Sequence, residues 1–497
     1  MTLPSLWEDR RHAEPGPAPG TPPDGHREVV VVGGGITGTT LALLLASAGV
    51  DVVLLEAARL GSGTTGRSTA KVSTLQGTRL SRLRRRHPAS VVRDYVTANR
   101  AGLAWVERFC EEHGVPVDRR TAVTYATTEH GARDVEREHR VAREAGLPAD
   151  LAGDLGLPFA VTAAVTLPDQ LQVDPLAVVD AVAAEAVARG AAVHEGVRVL
   201  SVGSARSPYR VHTDHGDLTA DTLVLATNVP VLDRGGWFGR MTAHRSYSLA
   251  LRTDGPPLPG MYLSADQPTR SLRDATVAGE HHLLVGGEGH VTGRSTPTSA
   301  HLRALRTWAA AHYPEATETH AWSAQDYRTS HELPVAGPLL PGSDSLLLAG
   351  GFAKWGMTGG VAAAVALSGR ILGGEVPWAR VLDGWHPRTL VGLPGAVAAN
   401  ALVGLELGQG WTRPLARSGG EPAEGCGVVR ARRPGTPVAV SRVAGQEQRV
   451  SAVCPHLGGV VRWNDAEQSW DCPLHGSRFD GDGELLEGPA TRGLSPR

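Results

Sequence analysis

Four residues of metal-ligating type fall in two tight pairs near the C-terminus. Cys454 and His456 form a C-x-H pair, and after fifteen intervening residues Cys472 and His475 form a C-x-x-H pair. Two thiolates on one iron and two imidazoles on the other hold a [2Fe–2S] cluster. Ligands one or two residues apart fit hairpin tips, where neighbouring side chains can meet one metal. The flanks "AVCPHLGG" and "WDCPLHGSRFDGDGELLEGPA" read as strand, Gly/Pro-rich loop and strand. Such a cluster moves single electrons. The same four residues could hold zinc. Zinc fingers, however, pair like with like, as C-x2-C then H-x3-H. The mixed pairs favour the cluster. Four unligated residues are the least favoured reading, since two of the chain's four cysteines sit here.

A second constellation lies near the N-terminus. "EVVVVGGG" (28–35) is a β-branched run ending in glycines, "ITGTTLALLLASA" (36–48) is a helix, and "VDVVLLE" (50–56) is a second strand. Gly33, Gly35, Thr37 and Gly38 occupy the strand-to-helix turn. Gly33 permits the tight turn, Gly35 a close approach to a pyrophosphate, and Gly38 close packing of helix on strand. The helix N-terminus then faces phosphates. Glu56 ends the second strand, where a carboxylate can bind ribose hydroxyls. The alternative is a chance glycine turn, against which the complete βαβ unit argues.

The elements that would position these groups follow along 497 residues, enough for two or three domains. The net charge of −2 gives no reason to expect a nucleic-acid partner. The arginine-rich stretch 79–113, with "RLSRLRRRH", reads as helices interrupted by Pro88 with a solvated basic face. Cys110 and Cys426 are too few for a disulfide framework, so a cytoplasmic location is expected. Residues 1–27 read as a disordered tail in which Trp7 could dock. Residues 174–190 form a helix with an Asp cap. "TLVLATN" (222–228) and its neighbours are strands, and 240–290 holds antiparallel strands. Residues 345–374 are strand, glycine-rich loop and small-residue helix. "TLVGLPGAVAANALVGLEL" (389–407) is expected to be a helix packed between domains, in preference to a membrane-surface element, and no transmembrane segment is expected. Residues 391–425 read as linker and packing helix, and 426–497 as a small β domain.

These segments resemble a known family. Residues 28–390, through "VVVVGGGITGTTLALLLASAG", "GSGTTGRSTAKVSTLQG", "GVRVLSV", "TLVLATN" and "LLLAGGFAKWGMTGG", are similar to the D-amino-acid-oxidase-like FAD-dependent oxidoreductases, the group of glycine and sarcosine oxidases. The last 72 residues resemble Rieske domains. The resemblance implies an α/β Rossmann-like FAD domain with an antiparallel-sheet substrate subdomain, followed by a small all-β Rieske domain. It also implies FAD and one Rieske [2Fe–2S] cluster. Glu56 would bind the adenosine ribose and Val199 the adenine. Thr65, Gly66, Thr69 and Lys71 would line the phosphate and ring region. The loop with Gly351, Gly356, Met357 and Thr358 would bring a helix N-terminus to the flavin pyrimidine edge. Many Rieske domains clamp their loops with a disulfide, but here those positions are Gly459 and Leu474. A tyrosine used by some is Phe479, and Ser477 remains as a donor. These departures imply looser, wetter loops and a low potential.

Lys71 and Lys354 are the only lysines, and both fall in flavin-facing segments. They are the catalytic candidates, with chance survival as the alternative. Arg245, Tyr247, Arg273, Gln325, Tyr327 and His331 are candidates to roof the flavin. The expected activity is oxidation of an amine or amino-acid-like substrate, with electrons passing through the cluster to an external acceptor. An NAD(P)H-dependent reductase would need a second dinucleotide fold, and "VGGEGHVTG" (285–293) lacks a following helix. An oxygenase would need a mononuclear iron site. A non-enzymatic redox sensor is the remaining alternative.

Overall fold

The computed structural model describes residues 4–12, 24–374, 376–413, 421–431 and 436–497. In the strand His26–Val32 the four valines Val29–Val32 are paired on both sides in parallel, which is why that stretch is apolar throughout. The main sheet runs Val335–Pro338, Leu346–Gly350, Gly216–Asn228, His26–Val32, Val52–Leu55, Ala192–His194. The helices Ile36–Ser47 and Gly356–Ile371 pack together over one face of this sheet. Asp174 caps the helix Pro175–Ala188 through the N–H groups of Leu176 and Ala177.

A nine-stranded, mostly antiparallel sheet forms the second subdomain, with Met241–Arg252 between Thr317–Thr329 and Glu280–Val291. The C-terminal unit holds a three-stranded and a four-stranded antiparallel sheet. It rests directly on the nine-stranded sheet. A Cβ on Gly476 would lie 2.4 Å from the Cβ of Ala243, and one on Gly293 2.8 Å from Pro473. So Gly293, the last glycine of "VGGEGHVTG", serves close approach between domains.

Two expectations need correction. The N-terminal segment is ordered where described: Leu6–His12 is a helix, with Leu6 and Trp7 buried. Trp7 donates to Ser68 O at 2.9 Å, Ser5 Oγ to Gly66 O at 2.6 Å, and Arg11 to Leu60 O at 2.5 Å. The segment ties down the loop 60–68. Residues 1–3 and 13–23 of that tail lie outside the described residues. The apolar stretch near 390 is a helix, Leu393–Thr412, that touches both domains along one side but runs outside them and is not buried between them. Only 6 % of its most apolar part is buried, and by length and composition it could cross a membrane. The C-terminal unit folds straight back onto the sheet, and the connecting helix is left outside.

The N-terminal strap yields a prediction. Trp7→Ala should cost about 3–5 kcal/mol, the usual range for emptying a core tryptophan site. Chemical denaturation followed by flavin release should show the loss, with loop 60–68 freed first.

Candidate functional site: two cofactor positions sharing one wall

A cavity of about 410 Å³ runs along the C-terminal ends of the parallel strands. Gly33, Gly35, Ile36 and Thr37 line it at the strand-to-helix turn, and Glu56, Val197 and Val199 line it further along. Gly33 has φ +108°, and a Cβ there would lie 2.8 Å from Ala226 O. A Cβ on Gly38 would lie 1.9 Å from Gly33 O, so Gly38 serves helix packing and not ligand contact. Gly35 has no side chain to cap the helix; the Ile36 N–H donates to Thr65 Oγ1 at 3.2 Å, and the N–H groups that follow are left for a ligand's phosphates. Glu56 accepts from Gly34 N at 2.7 Å and Ala58 N at 2.9 Å. Burial raises its pKa, and those N–H groups oppose the rise.

The loop and helix after Gly350 close the other end. Phe352, Lys354, Gly356 and Met357 line the cavity. Gly351, at φ +70°, instead donates to Asn228 Oδ1, and Thr358 donates to Asn99 Oδ1 at 2.6 Å. From the earlier loop Thr64, Thr65, Arg67 and Ser68 face the cavity. Gly66, Thr69 and Lys71 do not. A Cβ on Gly66 would lie 2.6 Å from Gly61 O. Thr69 O accepts from Arg273.

The two lysines separate. Lys71 Nζ is 2.6 Å from both Tyr262 O and Ser271 Oγ, between strands of the second sheet and away from the cavity. It is corrected from a ring-tuning to a structural role. Lys354 does face the cavity, on a backbone held at φ +77°. Gly289 leaves room for its ammonium: a Cβ there would sit 3.4 Å from Nζ. Burial lowers the pKa of Lys354, and Asp326 opposes that fall. Asp326 also lines the cavity. Burial raises its pKa, and its Oδ2 is buried without a hydrogen-bond partner. Sequence reading passed over Asp326, although it stands between Gln325 and Tyr327.

The remaining wall comes from the C-terminal unit: Arg478, Leu486, Glu487, Gly488, Ala490 and Thr491. Arg245, Gln325 and Tyr327, expected above the flavin as substrate residues, hold this unit in place. Arg245 bonds Glu467 at 2.8 Å and Glu487 at 2.9 Å. Gln325 donates to Gly476 O at 2.8 Å, and Tyr327 to Gly488 O at 3.1 Å and His475 O at 3.4 Å. Gln325 and Tyr327 also reach the cavity. Tyr247 stacks with His290 and His301, Arg273 binds carbonyls of residues 69, 70 and 173, and His331 accepts from Leu333 N. Those three are structural.

Cys454, His456, Cys472 and His475 converge at the edge of that unit. The two cysteine thiols are close enough to shift each other's ionisation, and the imidazole centroids are 5.1 Å apart. Both ring nitrogens of His475 are buried with no protein partner. Burial, then His456 and Arg294, lowers its pKa to about 4, so the ring is in the neutral form that binds metal. His456 Nε2 lies 2.5 Å from Asp233 of the larger domain, which leaves Nδ1 for a metal. Among the described residues no three His, Cys, Asp or Glu side chains gather for a single ion. Two pairs suit two irons better than one zinc. Phe238 packs edge-on against both imidazoles.

The expectation of wet sulfurs is not met. Leu474 fills the place of the missing disulfide: a Cβ on Gly459 would lie 2.7 Å from the Leu474 side chain. Cys454 and Cys472 are buried. The Cys472 thiol, the Ser477 hydroxyl and the N–H groups of His456 and Leu457 hold the Cys454 thiol below its ordinary pKa. Backbone N–H groups of Leu474 and His475 serve Cys472. These backbone donors leave no mark in a sequence.

Comparisons with known proteins agree with this geometry. Residues 28–370 match the FAD dependent oxidoreductase family, and residues 421–496 match the Rieske [2Fe-2S] domain. The chain is 33% identical over 473 residues to YhfW of Bacillus subtilis (strain 168), named as a Rieske 2Fe-2S iron-sulfur protein, across 94% of this chain and 92% of that one. Glycine oxidase from Geobacillus kaustophilus superposes with TM-score 0.60 at 20% identity, over 72% of this chain and 97% of that one. L-proline dehydrogenase from P. horikoshii gives TM-score 0.62 at 20% identity, over 73% and 98%.

Two outcomes follow from this site. His475→Ala should abolish the cluster's iron, sulfide and EPR signal while FAD stays bound. Ser477→Ala should keep the cluster and lower its midpoint by several tens of millivolts. A charge-assisted hydrogen bond of about 1.5–3 kcal/mol at 59 mV per tenfold sets an upper bound of about 130 mV. An EPR redox titration reads the shift.

A third concerns docking. Burial opposes ionisation of Glu467, but Arg478 and Arg245 outweigh it and hold its pKa at about 2. A depressed carboxylate pKa stabilises above the unfolded value of 4.5 and loses that stability as pH falls through about 2. Acid unfolding followed by cluster circular dichroism should show this window. Arg245→Met, which leaves Arg478 alone to answer the buried Glu467, Glu487 and Asp471, should cost about 3–5 kcal/mol at neutral pH.

Proposed function

The chain belongs to the FAD dependent oxidoreductase family and carries a Rieske [2Fe–2S] domain; from that premise we propose that it oxidises an amine or amino-acid-like substrate and delivers the electrons through the Rieske domain to an external acceptor. FAD supplies hydride acceptance from the substrate carbon, and the cluster supplies one-electron transfer. One observation carries the reading: residues of the Rieske domain form a wall of the FAD cavity, and Tyr327 lines that cavity while bonding the carbonyl of the cluster ligand His475.

The chain's own residues have defined parts in it. Gly33, Gly35, Thr37 and Glu56 line the cavity where they would hold the dinucleotide. Met357 and the N-terminus of the helix Gly356–Ile371 favour negative charge at the far end of the cavity. Lys354 and Asp326 flank the reacting region. Asp326, kept protonated more readily by burial, is placed to exchange a proton with an amine, and Lys354 to balance charge. Phe238, Asp233 and the Rieske wall keep water from the histidine edge of the cluster. The amino-acid-oxidising proteins among the structural neighbours support an amine substrate.

An anaerobic screen of amines and amino acids tests the proposal. A substrate should bleach the flavin absorbance, and the reduced-cluster EPR signal should follow within the same turnover. NADH and NADPH should bleach it poorly, since one dinucleotide site is present among the described residues. Rapid bleaching by either would favour the reductase reading. Lys354→Met should slow flavin reduction by about 10- to 100-fold with FAD retained, and Lys71→Met should leave that rate within about twofold.

A further inference from the structure

An apolar helix stands on the outside of the protein, and its inner side is already committed. Val403 and Leu407 turn to the Rieske core, Gly410 lies against Val460, and Glu406 pairs with Arg462. Asn400 donates to Gly239 O at 2.7 Å, and Trp411 to Gly458 O at 3.2 Å. Glu406 is the helix's only charge between Leu393 and Thr412, and the inner face consumes it. The outer face carries Val397, Leu402 and Leu405, which are 68%, 52% and 59% exposed. Leu390, Val391 and Leu393 extend it at one end. A contiguous apolar face of this kind marks an interaction surface.

The charges around this face identify its occupant. Arg388 precedes the helix and Arg413 follows it. From the arginine run 84–86, a motif that the oxidoreductase chemistry does not use, Arg86 sits beside the first turns, while Arg84 pairs with Glu144 at 3.3 Å. Arg86 donates to Ser330 O at 2.9 Å, and Ser330 packs beneath Gly392 and Gly395. Arg86, Gly395, Ala396 and Ala399 line one cleft. Arg85 is exposed and has no ion-pair partner among the described residues. Trp411, half-exposed, ends the helix with a ring suited to a headgroup boundary.

We propose that this helix lies in the plane of an anionic membrane surface, its outer face in the acyl boundary and its flanking arginines at the lipid phosphates. The three tethers at Asn400, Glu406 and Trp411 run along its length, so it lies on the bilayer and does not span it. A second copy is a poor occupant. Both ends of the helix are basic, so either pairing direction sets arginine against arginine. Leu457, in the cluster loop beside Trp411, is 41% exposed and would be held near the same surface.

The test uses the full-length holoprotein and flotation with vesicles. It should float with mixed phosphatidylglycerol and phosphatidylcholine vesicles, and high salt should weaken this. Leu402→Glu with Leu405→Glu should abolish flotation while flavin and cluster absorbance persist. Arg85→Glu should weaken it about fivefold or more, the factor for one cation at a charged bilayer. No flotation with either vesicle type overturns the proposal. Equal flotation with pure phosphatidylcholine overturns its electrostatic half. A dimer in sedimentation that the paired glutamate variant dissociates would assign the face to a second copy and overturn it entirely.

Discussion

The structure depends on one buried guanidinium. Arg245 projects from Met241–Arg252, the second strand from one edge of the nine-stranded sheet, and is held by Glu467 and Glu487 of the Rieske domain. Arg478 answers from the other side, pairing with Glu467, Glu487 and Asp471. Two arginines and three carboxylates are thus withdrawn from water together. A buried array of this kind gains little over an apolar one in stability, but it tolerates one arrangement only. A domain slipped by a few ångströms would leave charges unpaired. The network therefore fixes the register between the two cofactor-binding units, and everything else about the shared wall follows from that register.

Backbone contact reinforces the constraint. Gly293 and Gly476 bring the cluster loops against the sheet at distances that no side chain would allow. The carbonyls of His475 and Gly476 are held by Tyr327 and Gln325. Asp233 and Phe238 cover the histidine edge. On the proposed reading, electrons enter the cluster through that covered edge without any domain swing. The gain is a water-poor contact, and the cost is that no soluble partner can use the same edge.

How far the sequence reaches depends on the range of the interaction. The βαβ turn, the cluster ligands and the Asp174 cap are local, and their spacings are visible in the chain. Gly33 and Gly38 were assigned their jobs correctly because a turn and a helix approach have fixed geometry. Long-range placement was not legible. Arg245, Gln325 and Tyr327 had the chemistry of substrate ligands and proved to be domain contacts, since nothing in a strand reveals what covers it. Lys71 shared rarity with Lys354 but not location: its strand turns it toward Tyr262 and Ser271. The expected wet sulfurs failed for a related reason. Absence of two cysteines is readable, but Leu474 filling the gap over Gly459 is a packing fact.

The apolar helix shows the same limit from the other direction. Its composition suits a buried core helix, a membrane helix or a helix between domains, and only the position of its neighbours separates these. Because Arg245 and the glycine contacts seat the Rieske domain straight onto the sheet, no crevice remains between the domains to receive the helix. It must run around the outside, tethered by Asn400, Glu406 and Trp411. The docking that closes the flavin cavity is thus also what exposes the apolar face. On the proposed reading, with the histidine edge occupied inside, the loop at Leu457 and Gly458, which Trp411 binds to this helix, is the exposed approach to the cluster for an external acceptor. The exposed loop of the cluster domain would then lie beside the apolar surface of the helix.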